Sequence, residues 1–520
     1  MSLRTYYDFH LFCGAGGVAI GMARGHARIG RHQARIQCIG GVDSDPEACA
    51  DFTRHTGVPA TCVDMFDAQQ YHDFHGRPPP EGWEEATPDT IRAAAGGLTP
   101  NIVTVTAPCK GFSGLLNKKS ARSRKYQALN QLTLRGVFLM LEAWADDPPE
   151  LVLFENVPLI ASPSKGRRLL ESIKQLLESY GYAARETFHD CGEIGGLAQH
   201  RRRFLLVARH EEKVAPFLYE PPKQRVRNVG EVLGEFPLPN TEGVGPMHQL
   251  AALKWKTWLR LALIEPGKDW RYLQQLEVLD GYLKDHKIAP MEANWHTGPL
   301  GVTPWKATAT TITGRGGPTN GAFNIADPRL KPGRFNNVFR IVRFDEPSPA
   351  VTGGGSPSAG GLAIADPRPR AWRGGRKTFE GGGHYGIVAW DSTMGTVTGH
   401  AHPDRGYFSV GDVRIPDPAK QAHPVPVIRS LWGTWNRPYT PLELAALQGF
   451  PVALDMKWEG EARSRWVMRI GNAVPPPAGE AIGSTMAHTL LLNDLEVTEL
   501  LHATPRWVDP AVALPLTLGG

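Results

Sequence analysis

The feature that most constrains this chain is a short apolar run, Tyr7–Phe12, that passes without a spacer into Cys13-Gly14-Ala15-Gly16-Gly17 and then into a helical pattern. A strand that ends in glycines and opens a helix is the first half of a βαβ unit. Glycine lets the backbone turn tightly there and approach a ligand closely. The same rhythm continues over the first ~210 residues, with strands expected at Cys38–Val42, Ile102–Thr106, Leu151–Phe154 and Phe204–Ala208. Between the last two, Leu169, Leu170, Ile173, Leu176, Leu177 and Tyr180 recur at 3/4 spacing, which predicts an amphipathic helix ended by Gly181. The pattern predicts an α/β fold with a parallel core.

In such a sheet the residues at the strand ends face the ligand. Gly14, Gly16 and Gly17 form the first turn, and a turn of this kind serves a cofactor about as often as it merely packs. Asp43 closes the next strand, where a carboxylate can bond a ribose, and Asp64 follows a third strand, where it can accept from an adenine amine. Either can equally be a solvated turn residue. The strand Ile102–Thr106 leads into Pro108-Cys109-Lys110-Gly111-Phe112-Ser113, followed by Lys118, Lys119, Arg122, Arg124 and Lys125. A free cysteine is most often a small buried hydrophobe, but cationic neighbours favour the thiolate, its nucleophilic form. Glu155 ends the next strand, and Gln199-His200-Arg201-Arg202-Arg203 precedes the last, so alternate arginines should point to the rim of the sheet.

From about residue 213 to 430 glycine and proline become frequent and an internal repeat appears. Thr313-Gly314 leads to Ile325-Ala-Asp-Pro-Arg329, and Thr352-Gly353 leads to Ile364-Ala-Asp-Pro-Arg368. A third, degenerate copy runs from Thr398-Gly399 to Gly411-Asp-Val-Arg414, and each copy has an aromatic residue eight positions before its threonine: Trp305, Phe344 and Trp390. Strands are expected around Thr310–Thr313, Ala350–Thr352 and Thr396–Thr398. In this reading the aromatics and the Asp327 and Asp366 turns are scaffold, while the differing loops, with Arg315 in the first copy and Arg405 in the third, are places for contacts with a partner.

Size and composition bound the rest. A chain of 520 residues with 41% hydrophobic content can bury more than one core, and 57 basic against 52 acidic residues leave a net charge of only +5. That balance permits nucleic-acid binding without arguing for it. Six cysteines are too sparse for a disulfide framework. No apolar stretch approaches the ~20 residues of a membrane span and the N-terminus lacks a signal-peptide core, so a cytoplasmic protein is expected.

The motifs in this order resemble the cytosine-5 DNA methyltransferases. Phe12–Gly17 is similar to that family's Phe-x-Gly-x-Gly-Gly loop, Pro108-Cys109 with Phe112-Ser113 to its nucleophile motif, and Glu155-Asn156-Val157 to its Glu-Asn-Val motif. Gln199-x-Arg201-x-Arg203, Leu442-Glu443 with Gln448-Gly449-Phe450-Pro451, and Gly471-Asn472-Ala473-Val474-Pro475 are similar to the later ones. The resemblance implies a Rossmann-like, S-adenosylmethionine-dependent methyltransferase domain that is discontinuous, with an inserted β-rich target-recognition domain. The expected divisions are 1–212 catalytic, 213–430 recognition, 431–493 catalytic again and 494–520 a tail.

It further implies that Cys109 attacks C6 of a flipped-out cytosine in double-stranded DNA, with Glu155, Arg201 and Arg203 holding the base. Phe12, Gly14, Gly16, Gly17, Asp43, Asp64, Met65, Pro108 and Asn472 would hold S-adenosylmethionine, which leaves as S-adenosylhomocysteine. Ser113, Lys118, Lys119, Arg122, Arg315 and Arg405 would touch DNA. The resemblance calls for no metal, a monomer, and association with the nucleoid through DNA, in a setting such as restriction–modification, phage protection or regulation. Lys110 departs from the family, which often has Gln there. Two other readings compete: a cytosine-5 methyltransferase of RNA, and a Rossmann oxidoreductase that leaves Pro108-Cys109, Glu155-Asn156 and Gly471-Asn472 unexplained. A catalytically silent DNA-binding module is disfavoured by the joint presence of Cys109, Glu155 and Arg203.

Overall fold

A computed structural model describes residues 2–108, 124–164, 166–253, 255–275, 384–399, 401–416, 420–422 and 425–495, with short strands between 278 and 365. Cys109, Lys110, Ser113, Lys118, Lys119, Arg122, Arg315, Asp327, Asp366 and the tail beyond 495 lie outside the described residues. The chain divides into two compact units, 1–291 with 383–520, and 292–382.

The larger unit is built on eight strands: β1 (Ser2–Leu11), β2 (His26–Ile29), β3 (His32–Asp43), β4 (Ala60–Cys62), β5 (Ile102–Val105), β6 (Leu151–Asn156), β7 (Tyr182–Asp190) and β8 (Arg202–His210). They lie in the order β2-β3-β1-β5-β6-β8-β7, with β4 also paired to β3. β3, β1, β5 and β6 run parallel, while β2 against β3 and β8 against both β6 and β7 are antiparallel. The expected strands are therefore present in a sheet whose two flanks are antiparallel hairpins. Connection length explains the difference. The turns Gly30-Arg31 and Cys191–Arg201 are too short for the crossover a parallel return needs.

Both faces of the sheet are covered, which is why its central strands are apolar without a break. Val103, Val105, Val152, Phe154, Phe204 and Leu206 face one core, shared with helices α3 (Ala68–His75), α4 (Pro88–Ala94), α5 (Arg124–Ala143) and α6 (Arg167–Ser179). Their neighbours Ile102, Leu151, Leu153, Leu205 and Val207 face the other. The period of two along each strand makes that division. α6 is the amphipathic helix expected from 169–180; Leu170, Ile173 and Leu177 are its buried stripe, and Gly181 follows it with φ 81°.

Three further helices return from the far end of the chain: α7 (Pro441–Leu447), α8 (Arg463–Asn472) and α9 (Pro476–Asp494). Val474, Ala478, Ile482, Met486, Leu490 and Leu491 belong to the second core together with β1, β6 and β8. The start of α1 (Gly17–Arg24) lies so close to this segment that a Cβ on Gly17 would stand 2.3 Å from the Val474 carbonyl oxygen. The α/β fold is thus discontinuous in sequence. Among the described residues no helix is long and apolar enough to cross a membrane.

The repeats share one structural plan. Leu300–Pro304 pairs in parallel with Gly321–Ala326, Ile341–Arg343 with Ala363–Ala365, and His384–Ala389 with Arg405–Asp412. The register is identical in all three: the residue before the aromatic pairs with the residue before the aspartate, as Pro304↔Ala326, Arg343↔Ala365 and Ala389↔Gly411. In the third copy, which belongs to the larger unit, the motif residues meet. The Arg414 guanidinium lies 4.7 Å from the centre of the Trp390 ring and bonds both Asp412 oxygens at 3.0 Å. Thr396–Thr398 is not the strand expected. It bridges sideways to the 198–201 segment through Met394, and its polar groups are taken by Gln199 and His200. The corresponding runs of the first two copies lie outside the described residues.

Asp412 anchors a wholly buried ion network. Arg437 donates to Asp412 Oδ2 at 2.8 Å and to the two Glu443 oxygens at 2.7 and 2.9 Å, and all three side chains are fully buried. Burial pushes both carboxyls up, yet Arg437 holds each of them below its ordinary range. Replacing that cation would leave the buried Glu443 without its ion-pair partner and Asp412 with Arg414 alone. Arg437→Met is expected to cost about 3–5 kcal/mol in urea unfolding. Because the folded values are depressed, the network's contribution is full at neutral pH. It should fall away as pH drops below the free-carboxylate value of about 4. An Arg437→Met variant as stable as the parent at pH 7 would refute this.

Candidate active site

The order of strands reverses between β1 and β5, and a cleft opens beyond their C-terminal ends. A cavity of about 440 Å³ there is lined by Phe12, Gly14, Gly17, Asp43, Asp64, Met65, Pro108, Glu155, Arg201, Arg203 and Asn472, together with residues the sequence did not single out. Residues up to 460 positions apart in the chain share this space. Gly16 does not line it; it caps α1 at φ 81° beside Phe52. Arg405 is exposed at the start of its strand and is also outside the cavity.

At one end the glycine turn is tied to Asp43. The Gly14 amide donates to Asp43 Oδ2 and the Asp45 amide to Oδ1, each at 2.9 Å. Burial raises the Asp43 carboxyl, and these backbone donors oppose the shift. Phe12 has φ 57°, a strained value for a residue with a side chain, and such strain persists where the surroundings hold it. Its carbonyl accepts the Thr106 hydroxyl at 2.8 Å, and its ring lies against Gly136 of α5. Asp64 accepts the Phe66 amide at 3.0 Å and is raised by burial. Two strand-end carboxylates, one aromatic face and a glycine turn in one cavity fit an adenosine-bearing cofactor: acceptors for hydroxyl and amine, and an apolar wall for the ring.

At the other end Glu155 and Arg203 form an ion pair, Nε to Oε1 at 3.0 Å, with both side chains nearly buried. Burial raises the Glu155 carboxyl, against the charges of Arg203 and Arg201, so its protonated form persists to higher pH than in a free glutamate. Asn156 is buried and donates to the Ala107 carbonyl at 3.4 Å, which holds the end of β5 beside β6 just before Pro108. The alternation expected of the arginine run is present: Arg201 and Arg203 face the cavity, while Arg202 lies over the Phe188 ring outside it.

Arg201 joins the parts. It is 1% exposed and donates to the carbonyls of Val397 at 2.7 Å, Gly471 at 3.1 Å and Ala473 at 2.8 Å. The third repeat touches the Gly-Asn turn at the same place. A Cβ on Gly471 would stand 2.0 Å from the Thr398 carbonyl carbon, so the two backbones meet where only glycine fits.

Residues 6–244 match the family model of C-5 cytosine-specific DNA methylases. Over these residues the chain is similar to the C-5 cytosine-specific DNA methylases. Among curated proteins none matches the chain. Three solved structures are similar at low identity. Entamoeba histolytica methyltransferase EhMeth is 12% identical with a TM-score of 0.45, covering 95% of this chain and 99% of its own. Schizosaccharomyces pombe Dnmt2 methyltransferase is 15% identical with a TM-score of 0.41 and the same coverage. A putative DNA modification methyltransferase from an Escherichia coli prophage is 15% identical with a TM-score of 0.43, covering 94% and 99%.

The cavity also contains residues that sequence reasoning passed over. Leu129 and Leu132 of α5 form part of its wall, and His75 stands 4.0 Å from Asp64. Gln199 was noted only as a motif letter, yet it is fully buried, donates to Gln448 at 2.6 Å and accepts the Val397 amide at 3.1 Å. A glutamine directly before a strand in an otherwise basic run was the available signal. Arg201→Met would leave three buried carbonyls without a donor. At about 1–3 kcal/mol for each unsatisfied group, the loss in chemical denaturation is expected to exceed ~3 kcal/mol. A loss below 1 kcal/mol would show that these carbonyls find other donors.

Proposed function

We propose that this chain methylates C5 of a flipped-out cytosine in double-stranded DNA, with Cys109 as nucleophile and S-adenosylmethionine as methyl donor. The observation that carries the reading is the buried Glu155–Arg203 pair, which shares one cavity with Pro108, the residue before Cys109, and with the Asp43 and Asp64 carboxylates.

C5 of cytosine is a poor nucleophile, so the ring must first be activated. The Cys109 thiolate adds to C6, and Glu155 holds the base by its N3/N4 edge and carries the proton that N3 receives. A carboxyl raised by burial suits that task, since its acid form is accessible at higher pH than that of a free glutamate. Arg203 fixes Glu155 and bonds the O2 side of the ring, with Arg201 behind it. When bound, S-adenosylmethionine supplies an electrophilic methyl group. Asp43 would accept from its ribose, Asp64 from its adenine amine, Phe12 would lie against the adenine, and Gly14, Gly17 and Asn472 would surround the methionine end. Once C5 is methylated, loss of its proton expels the Cys109 sulfur from C6. C5 and C6 lie inside the base stack of a duplex, so the base must leave the helix to be reached.

The long region between the Gln-x-Arg and Leu-Glu motifs, about 240 residues, supports a duplex DNA substrate. Ser113, Lys118, Lys119, Arg122, Arg315 and Arg405 are its proposed DNA contacts, because arginine reads guanine and lysine neutralises phosphate.

Cys109→Ala is expected to abolish methylation while leaving DNA and cofactor affinity nearly unchanged, because the thiolate acts in the chemical step. A duplex with 5-fluorocytosine at the target should trap the parent protein covalently, since fluorine cannot leave C5. Methylation that survives in the alanine variant would overturn the assignment, and transfer to RNA but not DNA would overturn the substrate. Asp64→Ala is expected to weaken S-adenosylmethionine binding by about 1–3 kcal/mol in calorimetric titration. An unchanged isotherm would place the cofactor elsewhere.

A further inference from the structure

A second concavity lies away from the active site. It has a volume of about 650 Å³ and runs between the edge strand β2, the segment 214–222 and the last three turns of α9. Ala27, Val214 and Phe217 are buried members of the second core, so the floor of the groove is continuous with that core, and Leu492 is buried beside it. Leu218 on its rim is 39% exposed. β2 is the outermost strand of the sheet, paired only with β3. The His26 amide of β2 donates to the Ser484 hydroxyl of α9 at 3.3 Å. The rest of that edge, beside the apolar groove, is a template for an extended chain, which can add backbone hydrogen bonds on one side and bury alternate side chains on the other.

The chain carries a segment with that pattern. α9 ends at Asp494, and Leu492 and Asn493 at its end line the groove, so the chain leaves the helix beside it. Of the residues that follow, Val512-Ala513-Leu514-Pro515-Leu516-Thr517-Leu518 places a large apolar side chain at every second position. Proline at 515 is compatible with a strand that is bonded on one edge only. Four alternate side chains span roughly 20 Å at ~3.3 Å per residue. The groove wall from Ser484 to Asn493 is about 15 Å of helix at ~1.5 Å per residue. The sixteen residues between Leu495 and Val512 are ample to bring the segment back. Such a run of leucines would otherwise stand as a β-prone apolar segment in water.

We propose that residues 512–518 of this chain dock in the groove between β2, the 214–222 segment and α9, closing the edge of the sheet. The proposal is independent of the methyl-transfer reading.

The test is hydrogen exchange by mass spectrometry on the full chain and on a chain ending at Asp509. Removal of the segment should speed exchange of 26–29 and 214–222 at least tenfold while leaving β5 and β6 unchanged. Leu516→Asp in the full chain should reproduce the effect, and a peptide of residues 509–520 added to the shortened chain should reverse it. Equal exchange in the full and shortened chains would overturn the proposal. So would protection that vanishes on dilution of the full chain, since the groove would then be filled by the tail of a second copy.

Discussion

The structure depends on one buried guanidinium. Arg201 begins the last strand of the sheet and satisfies carbonyls from two segments that follow it by about 195 and 270 positions. A carbonyl buried without a donor is costly, and three of them converge at this point. Arginine is the side chain that can serve all three, because its donors are spread around a rigid plane and keep their charge. The same charge acts on Glu155, which ties the electrostatics of the Glu155–Arg203 end of the cavity to the architecture of the Gly-Asn turn. The cavity is therefore assembled by polar bonds between distant segments as much as by the apolar cores beneath it.

The third repeat is part of that assembly. Its variable stretch begins at Thr398-Gly399, the turn that meets Gly471 backbone to backbone and the Asn472 side chain. Its constant residues do a different job: Trp390, Asp412 and Arg414 lock together, and Asp412 continues into Arg437 and Glu443. A repeated motif that is internally satisfied in this way can be copied along a chain without a specific neighbour. What changes from copy to copy is then free to serve contacts, and in the third copy one such contact is the Gly471-Asn472 turn at the cavity.

The folded core is compact for a reason visible in its pairing. Parallel strands β3, β1, β5 and β6 need helices on both faces, and α9 supplies the cover for the second face from the far end of the chain. Without it the second core, carrying Leu151, Leu153, Leu205 and Val207, would keep only partial cover from α1 and the 191–217 segment. This geometry also leaves β2 as an edge, since nothing in the sheet lies beyond it.

The sequence by itself determined the elements that rest on local pattern: the apolar central strands, the 3/4 stripe of α6 and its glycine stop, the glycine turn after β1, and the strand-end positions of Asp43, Asp64, Glu155 and Arg203. Each follows from a period of two or 3.6, or from a backbone conformation that glycine permits. The tertiary structure alone decided which distant pieces meet. It turned both flanks of the sheet antiparallel, tied Thr396–Thr398 to Gln199 and His200 in place of a strand, joined Gln199 to Gln448, and brought Leu129 and Leu132 to the site. Those outcomes depend on where a buried polar group finds its complement hundreds of residues away, and no local periodicity encodes that.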